Sequence, residues 1–396
     1  MHELIADRAS AIDASGIRRI FALAGTLDNP INLSIGQPDF PVPAEVRAAA
    51  SDAIEQGHNG YAPTQGHPVL VERICAWLKA DLGWSAPPVG TADHDGALTM
   101  VTSGTSGALL LAYMALLNPG DECILSDPYF VSYPHLATMC GAKAVLADTY
   151  PDFKLTAARV EPLITDKTKF VLLNTPSNPA GVTLTQQECN ELRELCVSRG
   201  VLLISDEIYD EFVFSDGLTE SCAQDPSIKR LATPARIAGA SDDVLLIRGF
   251  GKTYGCTGWR LGYASGPRAV IDEMSKLQQY TFVCAPAPLQ IGAAACFDAD
   301  MRSTVADYET RRNMVIDKLG SVTNIATPSG AFYAFIEVPE RLGMSGTQFA
   351  EKLVESNVLV IPGSAFSARD THFRISFATD PKKLAAGLDI IADAMK

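Results

Sequence analysis

Four times between residues 98 and 252 a mostly apolar run stops abruptly in a short segment of small, polar or glycine residues. Leu98-Thr99-Met100-Val101-Thr102 breaks into Ser103-Gly104-Thr105-Ser106-Gly107, and Phe170-Val171-Leu172-Leu173 into Asn174-Thr175-Pro176-Ser177-Asn178. Val201-Leu202-Leu203-Ile204 meets Ser205-Asp206-Glu207, and Val244-Leu245-Leu246-Ile247 meets Arg248-Gly249-Phe250-Gly251-Lys252. Runs without polar alternation fit strands buried on both faces, as in a parallel sheet covered by helices. With strand-like runs at Cys123–Leu125 and Ala144–Leu146 and helical stretches between, the pattern is βαβ and predicts a doubly wound α/β core. Ligands of such sheets sit at the carboxyl ends of the strands, where these breaks fall.

Each break carries a different chemistry. A lysine at the mouth of a sheet, partly desolvated and near other cations, loses proton affinity and can attack a carbonyl carbon, so Lys252 is a candidate Schiff-base residue. Gly251-Lys252-Thr253 imitates the end of a phosphate-binding P-loop, but that motif needs a glycine at position 246, which is leucine. The Gly104-Thr105-Ser106 turn precedes a helix-forming run, Ala108–Leu117, stopped by Asn118-Pro119-Gly120. Free N–H groups at such a helix start favour a phosphate. Thr185-Gln186-Gln187-Glu188 reads as a capping box, and Arg199-Gly200 closes that helix. A long charged helical segment is expected over Leu289–Leu319, and the 215–243 stretch, with Pro226 and Pro234, reads as a surface insertion longer than a connection needs.

A chain of 396 residues with 47% apolar content is long enough for two cores. A formal charge of −14 disfavours nucleic acid or an anionic membrane as partner, without fixing the field inside a cleft. The nine cysteines show no CxxC and no metal-ligand spacing with the six histidines, which predicts reduced thiols in a cytosol-like compartment and argues against structural zinc. The acidic start Met1-His2-Glu3-Leu4-Ile5-Ala6-Asp7 does not read as a signal peptide, and Ala108–Leu117 is far short of the ~20 residues that span a bilayer.

Taken in order, the strand ends offer a phosphate cup, an asparagine, a carboxylate followed by Tyr209, and a lysine followed eight residues later by Arg260. Ser34-Ile35-Gly36-Gln37-Pro38-Asp39-Phe40, Tyr61-Ala62-Pro63-Thr64-Gln65-Gly66, Ser177-Asn178-Pro179-Ala180-Gly181 and Thr257-Gly258-Trp259-Arg260 accompany them, as do Pro328-Ser329-Gly330-Ala331-Phe332-Tyr333, Pro362-Gly363-Ser364-Ala365-Phe366 and Phe373-Arg374-Ile375-Ser376. The set, in this order, resembles the class I/II pyridoxal-phosphate-dependent aminotransferases of fold type I, and the likeness covers nearly the whole chain. It implies a large domain over residues 45–288, with a mostly parallel seven-stranded sheet in αβα layers, and a smaller α/β domain from residues 1–44 and 289–396.

The resemblance also implies roles. Lys252 would hold pyridoxal 5'-phosphate covalently and then move the substrate proton, while Asp206 would keep the cofactor ring nitrogen protonated. Tyr209 and Asn178 would bond its phenolic oxygen, Phe130 (or, second, Tyr129) would cover its face, and Gly104, Thr105, Ser106 and Arg260 would take its phosphate. Arg374 would clamp the substrate α-carboxylate beside Gly36. Tyr61 would reach the phosphate of a second subunit, which implies a homodimer with shared sites, and the implied reaction moves an amino group from an amino acid to an oxo acid such as 2-oxoglutarate through pyridoxamine phosphate.

The chain departs from the family at Gly249, where a phosphate-binding serine is usual, at Val71, where arginine is usual, and at Ser106, where some bacterial aspartate enzymes carry a lysine that reads an acidic side chain. A donor range wider than aspartate is therefore expected. A carbon–sulfur β-lyase or an aminocyclopropane-forming synthase would use the same residues and differ in yielding products without an oxo-acid acceptor. A regulator with an aminotransferase-like domain would need a DNA-binding domain before Ser34, for which the chain leaves no room.

Overall fold

In a computed structural model that describes residues 4–12 and 27–396, the strand expectations become one seven-stranded sheet. Its strands are β1 (Leu98–Thr102), β2 (Glu122–Asp127), β3 (Lys143–Asp148), β4 (Thr168–Asn174), β5 (Leu202–Asp206), β6 (Val244–Gly249) and β7 (Gly262–Gly266). The spatial order is β1-β7-β6-β5-β4-β2-β3; β7 runs antiparallel to both neighbours and the other pairs are parallel. The six expected strands all form, and all but the first run one or two residues past an expected end. The seventh, Gly-Tyr-Ala-Ser-Gly, had no apolar run to announce it.

Alternate residues of the central strands enter two separate cores. Val171, Leu173, Leu203 and Leu246 pack on one face with Ile74 and Leu78 of the helix Pro68–Leu82. Phe170, Leu172, Ile204, Leu245 and Ile247 pack on the other with Leu109 and Ala112 of the helix Gly104–Leu116. Burial on both faces is why these segments read as continuous apolar runs.

A three-stranded antiparallel sheet, β8 (Tyr333–Glu337), β9 (Ile361–Pro362) and β10 (His372–Ser376), in the order β8-β10-β9, lies over a third core that includes Phe332, Phe349, Phe373 and Leu388. The arm joins this region through Ile31–Asn32, paired parallel to Val358–Leu359. Residues 1–3 and 13–26 of the arm lie outside the described residues.

Two expectations change. The helical segment over Leu289–Leu319 is not continuous: Ala287–Ala294 passes through a 3-10 turn, and a new helix starts at Arg302. At the restart the Asp300 carboxylate accepts from the Arg302 N–H at 3.0 Å and so satisfies a donor of the first turn. The 215–243 segment is no mere surface insertion, since Leu231, Ala232, Thr233 and Ala235 are buried and Arg230 and Arg236 turn inward. The Thr185–Glu188 capping box forms as expected, and Gly200 ends that helix in the left-handed conformation.

Those two arginines complete a buried ionic cluster beneath the strand ends. Arg248 of β6 reaches Asp81 at 2.9 Å, Glu207 at 2.9 Å and Asp210 at 3.3 Å, while Arg236 reaches Asp81 at 2.7 Å and Arg230 reaches Glu211 at 2.7 Å. Four carboxylates face three guanidiniums, and burial raises the Asp210 carboxyl against the pull of Arg248. Arg248 and Glu207 are only 2% and 0% exposed, which makes this pair a cross-strand clamp between β6 and β5 with no water to replace either partner. Removing one partner of such a pair costs about 3–5 kcal/mol. Arg248→Met should lower the urea-unfolding free energy by that amount, and a loss below about 1 kcal/mol would show the clamp to be no tighter than a surface pair.

Candidate active site

Above the clamp, the carboxyl ends of β4, β5 and β6 open into a cavity of about 320 Å³ between the two sheets. Gly36, Gly104, Thr105, Ser106, Phe130, Asn178, Asp206, Tyr209, Lys252, Arg260 and Arg374 all line it. The volume lies within the ~300–1,000 Å³ usual for small-molecule pockets. Tyr61 is not among the lining residues and stands 89% exposed. Tyr129 is also absent from the lining; its N–H bonds the Phe366 carbonyl at 2.7 Å.

Asp206 ends β5 with both carboxylate oxygens indoors. Burial pushes its carboxyl up to about 6, against hydrogen bonds from the Tyr133 hydroxyl at 2.8 Å and the Ile208 N–H at 3.3 Å. Its backbone carbonyl accepts from Asn174 Nδ2 at 2.9 Å, Asn174 Oδ1 accepts from the Asn178 N–H at 2.8 Å, and Asn178 Oδ1 accepts from Arg374 Nη1 at 3.0 Å. One relay of amide groups therefore joins the carboxylate end of the cavity to its arginine end. Arg374, on β10, also donates to the Ser34 carbonyl at 2.9 Å and lies over the Tyr333 ring at 4.4 Å from the centroid, and its buried Nε has no partner among the described residues. Arg374 lines the cavity, and a guanidinium held there in a fixed orientation suits a carboxylate.

Lys252 follows β6 in a turn, and its Nζ donates to the Gly36 carbonyl at 2.5 Å. That bond brings the arm of the chain against the strand-end lysine. Tyr209 donates to the Tyr333 hydroxyl at 3.2 Å, and both rings are buried. At the other end the helix start is bare: no side chain caps Gly104–Leu116, and the Arg260 guanidinium lies where a Gly104 side chain would project, 2.9 Å from the would-be Cβ. Gly104 has φ of 69°, in the left-handed region, so glycine answers both the conformation and the approach of Arg260.

Sequence reasoning missed Ser34, Tyr133, Asn174 and Tyr333 as members of this site. Ser34 and Tyr333 stood inside quoted motifs without a role, and Asn174 was visible only as the end of a strand. Tyr133 carried no signal, because its place depends on how the helix Ser132–Met139 docks on the sheet. The structure also accounts for Gly249. A Cβ there would meet Ile208 Cδ1 at 2.8 Å and Thr105 Cγ2 at 3.0 Å, so the space of the usual serine is already filled.

The family described as aminotransferase class I and II matches residues 28–391 of this chain. The chain belongs to that family. Among similar proteins, the aromatic-amino-acid aminotransferase 2 of Thermococcus litoralis is 32% identical, with 99% of this chain and 98% of the relative covered. The aspartate aminotransferase of Pyrococcus abyssi is also 32% identical, covering 97% and 96%. The Thermus thermophilus aspartate aminotransferase solved with maleate superposes with a TM-score of 0.87 at 30% identity, covering 98% of this chain and 99% of that one. The aminotransferase has the fold type I architecture, and its cofactor is pyridoxal 5'-phosphate.

The residues present suit that cofactor: uncapped N–H groups with Arg260 for a phosphate, a buried carboxylate for a ring nitrogen, an amine for its carbonyl carbon. The Gly249 packing gives a test within this aminotransferase. Gly249→Ser should lose about 1–3 kcal/mol by overpacking, read by urea denaturation of the cofactor-free protein, and Ile208→Val in the same chain should recover part of it. An unchanged midpoint for Gly249→Ser would mean that the site has room for the serine.

Proposed function

We propose that this aminotransferase moves the amino group of an L-α-amino acid to 2-oxoglutarate in a ping-pong sequence, with a donor range not confined to aspartate and glutamate. The observation that carries this reading is the charge inventory of the cavity. Its only lysines and arginines, among the described residues, are Lys252, Arg260 and Arg374. Each has a use common to all donors, and Ser106 adds no charge for a distal carboxylate. A buried carboxylate without a partner is costly, so a site that selected dicarboxylates strictly would need a further cation. Relatives named for aromatic amino acids and for aspartate, at equal identity, agree with a wide range.

Pyridoxal phosphate, when bound, supplies the electron sink for the charge left at the substrate Cα. The chain does the rest. Arg374 binds the α-carboxylate, while Asn178 and the Ser34 carbonyl hold its two terminal guanidinium nitrogens in a fixed plane. Lys252 would anchor the cofactor and move the proton at Cα as base and then acid. Asp206 would hold the ring-nitrogen proton, Asn178 and Tyr209 would bond the phenolic oxygen, and Phe130 would cover one face. Gly104, Thr105, Ser106 and Arg260 would bind the phosphate.

Tyr61 serves the site of a second copy, and its exposure, together with that of Tyr280 at 85%, supports a homodimer. We place the division between a large and a small domain near residues 45 and 288, on the support of the two sheets and their separate cores. No helix among the described residues is long and apolar enough to cross a membrane, and all nine cysteines are free, in keeping with a cytoplasmic location.

Two experiments bear on this. A panel of amino-acid donors against 2-oxoglutarate, ranked by kcat/KM, should place neutral or aromatic donors within about tenfold of aspartate, a gap of about 1.4 kcal/mol; efficient turnover of aspartate and glutamate alone would reveal a cation that reaches the cavity from elsewhere. Mixing Tyr61→Phe with Lys252→Ala subunits should give activity above the mean of the unmixed variants, because one site of each mixed dimer carries neither lesion. Lys252→Ala alone should be inactive. A fully active monomer in sedimentation at assay concentration would remove the shared-site reading.

A further inference from the structure

We propose that Tyr133 is a positioning residue that keeps Asp206 ionised and reserves its Oδ1 for the cofactor ring nitrogen. The inference rests on the assignment of Asp206 to that nitrogen.

Asp206 is a buried carboxylate without a cation. No lysine or arginine forms an ion pair with it among the described residues, and the neighbouring charge that acts on it, Glu207, is of the same sign. Two hydrogen bonds are therefore all that hold its charge, and they are unequal. The Tyr133 hydroxyl donates to Oδ2 at 2.8 Å, the length of a strong O–H···O bond. The Ile208 N–H reaches Oδ1 at 3.3 Å, near the limit of a useful bond. One oxygen is thus engaged and the other is nearly free, on a carboxylate that lines the cavity.

Tyr133 cannot leave this position easily. It is 2% exposed, packs among Leu125, Leu136 and Phe170, and meets the Phe130 ring edge-on at 5.5 Å. Burial and the nearby Asp206 raise its phenol well above the ordinary value, so it remains protonated and can only donate to the carboxylate. The phenol therefore fixes the rotation of the carboxylate as well as its charge, and Phe130 on the cavity wall steadies the ring that does so.

The consequence is a coupling with a definite sign. With Tyr133 in place Asp206 titrates at about 6 and is ionised at neutral pH. Without the phenol the carboxyl rises further, since a hydrogen bond to the charged form is lost while burial stays. The carboxyl is then partly protonated at neutral pH, and a protonated acid is a poor partner for a cationic ring nitrogen.

Tyr133→Phe keeps the ring and removes one oxygen. In cofactor-free protein labelled with 13C at aspartate carboxyls, the Asp206 resonance, assigned by its absence in Asp206→Asn, should titrate about one unit or more above wild type. For a shift of one unit the variant should bind pyridoxal phosphate about twofold more weakly at neutral pH and approach a tenfold deficit below the wild-type titration point, and the gap should close as pH rises through the new titration point.

Replacing Tyr133 by 3-fluorotyrosine, a more acidic phenol of nearly the same shape, should move the Asp206 titration the other way. A phenol that matters only for packing would leave the titration in place, or weaken cofactor binding equally at every pH, and either result overturns the proposal. The titration uses no cofactor. If wild-type protein bound no cofactor, the assignment of Asp206 would fail while the Tyr133–Asp206 coupling was still measured.

Discussion

Everything in the cleft hangs on the pairing of three adjacent parallel strands in a register that sets Asn174, Asp206 and Ile247 side by side. The register is locked from below by Arg248 and Glu207 and across the strand ends by the Glu207 N–H on the Ile247 carbonyl at 2.8 Å. A slip of one residue in any strand would turn its chemical group into an apolar core and its apolar neighbour into the cavity. The two-sided apolar packing of the sheet makes that slip costly, so the precision of the site is inherited from the core.

The ionic cluster below and the hydrogen-bonded groups above solve different problems. Asp81, Arg248 and Glu207 are sealed from solvent, and Arg236 and Arg230 supply the further positive charge that the two carboxylates need. Asp206, the next residue along, has no cation and is left with a carboxyl raised by burial, poised to respond to whatever enters. Adjacent acids on one strand end thus take opposite fates. One anchors the backbone and the other faces the cavity, because side chains alternate across the sheet.

The strand-end residues were legible because they sit in local patterns: an apolar run, a break and a chemically distinctive residue. Lys252, Asp206, Asn178 and the Gly104 turn are all of this kind, and the resemblance extended the reading to Arg260 and Arg374. What escaped was long-range. Tyr133 meets Asp206 across 73 positions of sequence, and nothing in Ser132-Tyr133-Pro134 marks a buried phenol. The inward turn of Arg230 and Arg236 escaped for the same reason, since a segment rich in proline and small polar residues reads as exposed unless its partner at Asp81 is known. The break at Asp300 escaped because the alanine-rich run before it and the charged run after it both favour helix, and only the backbone contact of that carboxylate marks where the second helix begins.

The cavity draws its lining from Ser34 to Arg374, almost the full length of the chain. In the order of synthesis the Gly104 turn, Asp206, Lys252 and Arg260 come more than a hundred residues before Arg374, which arrives with β10. The pocket is therefore closed only when β10 enters the centre of its three-stranded sheet, so one strand near the end of the chain completes both a hydrophobic core and the wall of the cavity.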